Sequence, residues 1–139
     1  MRIRLKTNKR NILLVCATNY IRKLDAALLR PGRFDCIIPV GELDASGRKT
    51  ILEHYLSKLN TGEIDLDQIV EMTSRYTPAD IEYLFHQVAQ LAFETEYEAG
   101  QDYRVTLDTF RQIMPTIRPS LTDEMIEELH QDCLTYSRA

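Results

Sequence analysis

The chain has 139 residues and 44% hydrophobic content, which is enough for one domain with a substantial core. Its net charge of −4 is unevenly spread: residues 1–10 carry five Lys or Arg and no acid, so the other 129 carry 12 basic against 21 acidic residues, or −9. Because a nucleic-acid-binding module is basic where it is folded, this balance argues against nucleic acid as a partner.

No apolar run reaches the roughly 20 residues that a membrane span needs, and no signal-peptide pattern opens the chain. We therefore expect no membrane span and a cytoplasmic location. Cys16, Cys36 and Cys133 are odd in number, far apart and outside any CxxC or Cys/His ligand spacing. We expect all three to be small buried hydrophobes, and we predict no metal ligands.

Residues 12–17 form a short, fully apolar and partly β-branched run, which is typical of a strand buried on both faces of a parallel sheet. Ligands of such sheets lie beyond the carboxyl ends of the strands, so Asn19 stands where chemistry is commonly found. Its amide both donates and accepts hydrogen bonds, which suits orienting a water against a phosphate. From the pattern alone, a polar residue that merely ends a strand explains Asn19 equally well.

Arg30 and Arg33 flank a Pro-Gly pair. Asp25 is predicted to cap a short helical turn, which the Pro-Gly pair then breaks, leaving both arginines on an exposed loop. Arginine is always charged, and its planar fork of donors matches phosphate oxygens, so the two side chains indicate a phosphate clamp. The alternative is a surface pairing with Asp25 or Asp35, which would contribute little.

The rest of the chain is predicted to be helical, apart from a second short apolar strand at 36–40. Apolar residues recur at helical spacing in five stretches, each bounded by capping or breaking residues. The signal is strongest where Thr77 precedes Pro78 and Asp80 stands in the capping-box position. The predicted helices cover 48–59, 66–74, 78–97, 107–114 and a last amphipathic stretch capped by Thr122.

Several motifs stand together in one order: ATN at 17–19, LDAALLRPGRFD at 24–35, GRKTIL at 47–52, an Ala-Asp pair at 79–80, and IRPSLT at 117–122. In this order and spacing they resemble the C-terminal half of an AAA ATPase module, and most of all the katanin, spastin and valosin-containing group. The resemblance implies a mostly α fold. On this resemblance, the chain divides into a two-strand remnant of a parallel α/β subdomain at 1–43, a four-helix lid at 44–118 and a C-terminal helix at 119–139.

The resemblance also implies roles for the polar residues near the first strand. Asn19 is similar to the sensor 1 residue, which positions the attacking water near the γ-phosphate. Arg30 and Arg33 are similar to arginine fingers that reach the nucleotide of a neighbouring subunit, where such groups raise rates by about 10³–10⁵.

Ile51, Tyr55 and Ala79 stand at positions that contact the adenine in relatives. Packing in the core explains Ile51 and Tyr55 about as well, because both lie on a helical apolar stripe. Two residues depart from the family pattern: relatives often have His where Tyr55 stands and Gly where Pro78 stands. Proline removes one backbone N–H from the turn that faces the adenine.

A phosphate loop of the form GxxxxGK[ST] is absent from the sequence. Residues 41–50 imitate it, with one residue too many on each side of the second glycine, and no apolar run ends in Asp-Glu to hold Mg²⁺. We therefore expect the chain alone to lack ATPase activity, although the resemblance implies ATP or ADP as the ligand, with Mg²⁺ held by residues outside this chain.

Two functions stay open. The chain is either the C-terminal segment of an ATPase that acts on a protein substrate as a hexameric ring, or a non-catalytic helical interaction module. The Arg30–Arg33 loop favours the first, since a scaffold has no need of two exposed arginines on a turn. The expected architecture is a rigid lid, a loosely held N-terminal remnant and a last helix that is partly undocked, because unpaired strands have no sheet to join.

Overall fold

The computed structural model describes residues 13–138, and the mostly α fold is confirmed there. Short 3₁₀ turns occur at Ile21–Lys23 and Met114–Thr116. Within the described range no helix is long and apolar enough to cross a membrane. The five α-helices are α1 (Ala45–Leu56), α2 (Leu66–Met72), α3 (Pro78–Ala99), α4 (Leu107–Ile113) and α5 (Asp123–Tyr136).

The helix ends follow local capping chemistry. The Asp44 carboxylate accepts a hydrogen bond of 2.6 Å from the Gly47 N–H and begins α1, so residues 41–50 open a helix and form no phosphate loop. Thr77 and Asp80 form a capping box at the start of α3. Gly100 ends the same helix in the left-handed conformation, with φ at 64°.

Helices α1 to α4 enclose one apolar core. A parallel bridge between Thr61 and Val105 ties the α1–α2 loop to the α3–α4 loop. Since a fully buried aliphatic or aromatic side chain stabilises the fold by about 1.5–3 kcal/mol, this core is the main source of stability in the described chain. Its most deeply buried large side chains come from all four helices and one loop: Leu52, Ile69, Ile81, Leu84, Val88, Val105 and Phe110.

The two predicted strands form no ladder in the described chain. Within residues 13–17 and 36–40, only Ile37 pairs, in an isolated antiparallel bridge with Arg138. The N–H and C=O groups of a strand need a neighbouring strand about 4.8 Å away. Here the neighbour is a single residue, Arg138. Position 12 lies outside the described residues. Several apolar side chains on these segments are solvent-exposed: Leu13, Val15, Ile38 and Val40.

The missing ladder also changes the setting of the cysteines. Cys16 and Cys36 lie on these segments and are exposed, so the expectation of buried thiols was wrong for both. Cys133 on α5 is half-buried. Without a paired sheet, no residue from 13 to 138 buries these two thiols.

Helix α5 contacts both the lid and the N-terminal segment. Near its start, Asp123 forms an ion pair of 2.9 Å with Arg75 of the α2–α3 loop. Further along, Glu128 and Asp132 pair with Arg22 at 2.9 and 2.6 Å. No residue of α5 is buried, but these contacts hold the helix at two places. Exposed ion pairs thus attach α5 to both the lid and the N-terminal segment, and whether the helix is partly undocked stays a prediction.

Candidate nucleotide site

A groove runs between α1 and the start of α3. Its volume is about 690 Å³, and its walls include Ile51 and Tyr55 from α1 and Ala79 from α3. The structure therefore brings Ile51 and Tyr55 together with Ala79, which is 28 positions after Ile51 in the sequence. Four further residues line the same groove: Thr50, His54, Pro78 and Glu82.

The core holds the Tyr55 ring in place. The ring stacks on Phe85 of α3 with a centroid distance of 5.1 Å, and Phe85 meets Phe110 of α4 edge-on at 5.5 Å. Lys58 places its ammonium 5.2 Å from the centre of the Tyr55 ring. Because aromatic pairs at these distances are attractive, one wall of the groove is fixed by three packed rings. Tyr55 thus serves the core and the groove together.

The start of α3 forms the other wall. The Asp80 N–H donates to the Thr77 hydroxyl at 3.2 Å, and Pro78 has no N–H to offer. Of the first three helical positions, this leaves the N–H of Ala79 without a hydrogen bond among the described residues. Ala79 is exposed, so a ligand in the groove can reach a backbone donor at a positively polarised helix end.

Asp80 connects this wall to the stretch that precedes α5. Its carboxylate accepts hydrogen bonds from the hydroxyl of Ser120 at 2.5 Å and from the backbone N–H of Thr77 at 2.8 Å. Burial raises the pKa of the Asp80 carboxyl, but the hydrogen bonds from Ser120 and Thr77 outweigh it, so the pKa is lowered overall. The capping role of Asp80 can be predicted from its place three residues after Thr77, but its contact with Ser120, 40 positions later, leaves no local pattern in the sequence.

Asn19 is not among the residues that line the groove. It is exposed and forms a bend, next to a hydrogen bond of 3.0 Å from the Tyr20 N–H to the Thr18 hydroxyl. The Asn19 side-chain amide forms no hydrogen bond with any residue from 13 to 138. Its role as sensor 1 stays a prediction.

Arg30 and Arg33 are both exposed on a tight turn. The turn depends on Gly32, whose φ of 83° is a left-handed conformation that residues with a Cβ rarely adopt. The guanidinium of Arg33 donates to the carbonyl oxygen of Ala27, which fixes one side of the turn. The Arg30 guanidinium forms no hydrogen bond with any described residue, so its five N–H donors are open to a ligand.

The acidic neighbours of the turn are engaged by backbone groups. Asp25 accepts a hydrogen bond of 2.8 Å from the Ala27 N–H, and Asp35 accepts one from the Gly32 N–H. Within residues 13–138 neither arginine of the loop forms an ion pair with them. The alternative of two simple surface ion pairs is therefore not seen in the structure.

The helical lid and the segment that precedes it are similar to the C-terminal part of AAA modules. A sequence model of the ATPase family associated with various cellular activities (AAA) matches residues 2–42. Solved structures of the FIGL-1 AAA domain show the same fold: the one in complex with ADP has a TM-score of 0.75 at 21% identity, over 86% of this chain and 43% of that one.

Curated relatives agree. The Cell division cycle protein 48 homolog of Archaeoglobus fulgidus is 33% identical over 132 residues, which is 86% of this chain and 18% of that protein. The ATP-dependent zinc metalloprotease YME1L of Drosophila melanogaster is 47% identical over 78 residues, or 56% of this chain and 10% of that protein. This chain belongs to the AAA ATPase family, and it spans less than a fifth of the length of these relatives.

No grouping of three or more His, Cys, Asp or Glu side chains in residues 13–138 could hold a metal ion. The zinc named for the metalloprotease relatives belongs to those proteins.

Proposed function

We propose that this chain is the C-terminal segment of an AAA ATPase that binds and hydrolyses ATP in a hexameric ring. The observation that carries the proposal is the groove, where Ile51, Tyr55 and Ala79 meet, the three residues for which the family resemblance implies contact with adenine. An apolar wall beside a free backbone N–H suits the face and edge of an adenine.

The proposed chemistry divides between two subunits. Asn19 orients the attacking water at its own subunit's nucleotide, as a side-chain amide that donates and accepts. Arg30 and Arg33 reach the nucleotide of the neighbouring subunit and stabilise charge on the phosphate oxygens in the transition state. Exposure supports this role most directly for Arg30, because an arginine that acts in trans must project from its own subunit, while Arg33 would have to exchange the Ala27 carbonyl for the nucleotide.

Residues outside this chain complete the site in this proposal. They supply the phosphate loop and hold Mg²⁺, while the lid contributes the adenine contacts to ATP and ADP. The proposed partners are further copies of the same protein and a protein substrate. A cytoplasmic location and the absence of nucleic acid from the partners stay predictions.

The groove is tested by filling it. In a protein that carries this segment within a complete ATPase module, Ala79→Phe should weaken ADP binding at least tenfold, measured with a fluorescent ADP analogue. Ala99→Phe is the matched control, since Ala99 is also exposed but lies at the other end of α3. Unchanged affinity in Ala79→Phe, with the variant folded, would contradict adenine binding in this groove.

The chain by itself should release no phosphate from ATP, because it has neither a phosphate loop nor a carboxylate pair for Mg²⁺. Steady-state phosphate release that a chelator abolishes would overturn this division of the site.

A non-catalytic helical interaction module is the second candidate. It is favoured by two stacked rings on α3, Phe93 and Tyr97, which are 67% and 82% exposed. The two candidates differ in one measurement. An interaction module still binds its protein partner when Arg30 and Arg33 are both replaced by Ala, whereas a complete ATPase module that carries this segment loses ATP hydrolysis.

A further inference from the structure

The last described residue contacts the arginine loop. The guanidinium Nη2 of Arg138 donates to the carbonyl oxygen of Leu29 at 2.5 Å and to that of Phe34 at 3.4 Å. These two carbonyls stand immediately before Arg30 and immediately after Arg33. One guanidinium group therefore joins both ends of the loop that carries the exposed arginines.

The backbone of Arg138 is attached to the same region. The Ile37 N–H donates to the Arg138 carbonyl at 2.7 Å, and the Arg138 N–H donates to the Ile37 carbonyl at 3.1 Å. Such a reciprocal pair fixes the two strands of backbone side by side. Because the main chain is held at Ile37, the side chain of Arg138 is aimed at the loop rather than free to sample solvent.

Helix α5 is anchored on a second side. Arg22 donates from Nε to Asp132 at 2.6 Å and from Nη1 to Glu128 at 2.9 Å. A fork that contacts two carboxylates on successive turns restrains both the position and the rotation of the helix. The end of α5, and Arg138 with it, is thereby placed relative to the segment that contains the loop.

The other restraints on the loop come from within residues 25–35: Arg33 donates to the Ala27 carbonyl, and the Gly32 N–H donates to Asp35. Arg30 and Arg33 are exposed, and Gly32 gives the turn a residue with unusually wide conformational freedom. An arginine that stabilises a transition state must be held closely, since a misplacement of about 1 Å can lower a rate by about 10²-fold. A contact that holds the loop without using Arg30 or Arg33 leaves both side chains available to a nucleotide. We call the contacts of Arg138 with Leu29 and Phe34 the brace of the loop.

We propose that Arg138 is a positioning residue that holds the Arg30–Arg33 loop in the conformation in which it meets the neighbouring nucleotide. The inference rests on the proposed function for its effect on turnover, while the brace itself rests on the contacts of Arg138 alone. Arg138 touches no nucleotide in this scheme and acts only through the loop.

The brace is tested first in the chain itself, by backbone ¹⁵N relaxation. With Arg138 intact, the amides of Arg30, Gly32 and Arg33 should have order parameters close to the roughly 0.85 of a rigid backbone, and Arg138→Ala should lower them below about 0.6. Arg138→Lys, which retains one donor group, should give intermediate values. Unchanged order parameters in Arg138→Ala overturn the proposal.

Arg104→Ala is the matched control, because Arg104 is exposed and has no hydrogen bond or ion pair within residues 13–138. It should leave the loop rigid. Chemical shifts of α3 report whether each variant is folded. Arg22→Ala is a second, independent variant: by releasing α5 it should mobilise the loop in the same direction, and a loop that stays rigid in both variants contradicts the brace.

The effect on turnover is measured in a complete ATPase module. Arg138→Ala should lower kcat for ATP hydrolysis at least tenfold and leave KM unchanged, and Arg138→Lys should restore part of the loss. If Arg33→Ala lowers kcat and Arg138→Ala does not, the positioning role is overturned and the proposed function stands. If Arg138→Ala mobilises the loop but neither variant lowers kcat, the arginine-finger role is overturned and the brace stands.

Discussion

The carboxylate of Asp80 accepts two hydrogen bonds from Ser120, 40 positions later in the chain: 2.5 Å from the hydroxyl and 3.1 Å from the backbone N–H. The same carboxylate accepts from the N–H of Thr77 at 2.8 Å and so caps α3. The buried Asp80 carboxylate therefore caps α3 and also holds Ser120, which precedes α5, by hydrogen bonds.

Asp80→Asn should lower the free energy of unfolding by about 1–3 kcal/mol, because hydrogen bonds to a charged acceptor are lost or weakened. Urea unfolding at pH 7 measures it. Asp102→Asn is the control, since Asp102 is exposed and forms no polar contact within the described residues. An equal loss in both variants would show that Asp80 has no special role.

The same contact predicts a pH dependence. The pKa of Asp80 is lowered in the folded state by its hydrogen bonds, against the opposing effect of burial. A lowered pKa stabilises the fold fully above the unfolded value, about 3.9, and this contribution is lost as the pH falls below it. The difference in unfolding free energy between the original chain and Asp80→Asn should thus be constant from pH 7 to about 5 and shrink below about 4. A difference that grows on acidification would contradict this.

Arg75 has a φ of 66°, the only left-handed residue other than glycine within residues 13–138. Such a conformation costs a residue with a Cβ about 1 kcal/mol. Arg75→Gly should relieve this cost, while losing an exposed ion pair to Asp123 that contributes at most about 1 kcal/mol. Arg75→Ala loses the same pair and keeps the Cβ, so the glycine variant should be more stable than the alanine variant by about 1 kcal/mol in thermal unfolding. The reverse order would mean that the backbone is unstrained here.

Arg30→Ala and Arg33→Ala, each in a complete ATPase module, should lower kcat strongly and leave nucleotide affinity nearly unchanged. The reason is that each acts on the charge that develops at a neighbour's nucleotide. Mixing either variant with a phosphate-loop variant should restore part of the activity, because an intact arginine then meets an intact site in some rings. No rescue at any mixing ratio would assign the two arginines a structural role.

Hydrogen exchange should divide the chain. We expect slow amides at 51–56 in α1 and 81–91 in α3, which border the core, and fast amides over most of 13–40, where few backbone hydrogen bonds form. Ile37 is the expected exception, because its N–H donates to Arg138 at 2.7 Å. Equal protection from 13 to 99 would show that the N-terminal segment has found further partners, such as another copy of the chain.

The starts of α3 and α5 could be predicted from the sequence because capping acts over three or four residues, whereas α1 begins and ends three residues earlier than the predicted 48–59. Asp44 before α1, Thr77 before α3 and Thr122 before α5 each accept a hydrogen bond from an N–H of the first turn, as their positions in the sequence indicate. The helical apolar stripes of α1 and α3 likewise specify which faces meet in the core.

Strand pairing was decided by the tertiary structure. The apolar runs at 12–17 and 36–40 have strand composition, but a ladder depends on a neighbouring strand, and composition does not say whether one is present. In the described chain the only backbone partner of these runs is Arg138, a contact that spans 101 positions.

The groove and the contacts of Arg138 likewise separate what local sequence patterns predict from what only the tertiary structure shows. From the sequence, local motifs and the family resemblance that they carry single out Ile51, Tyr55, Ala79 and the two loop arginines as candidate site residues. Only the tertiary structure decided that the first three share one groove and that Arg138 reaches Leu29, since a single long side chain that meets a backbone carbonyl 109 positions away leaves no periodicity, spacing or composition from which it could be read.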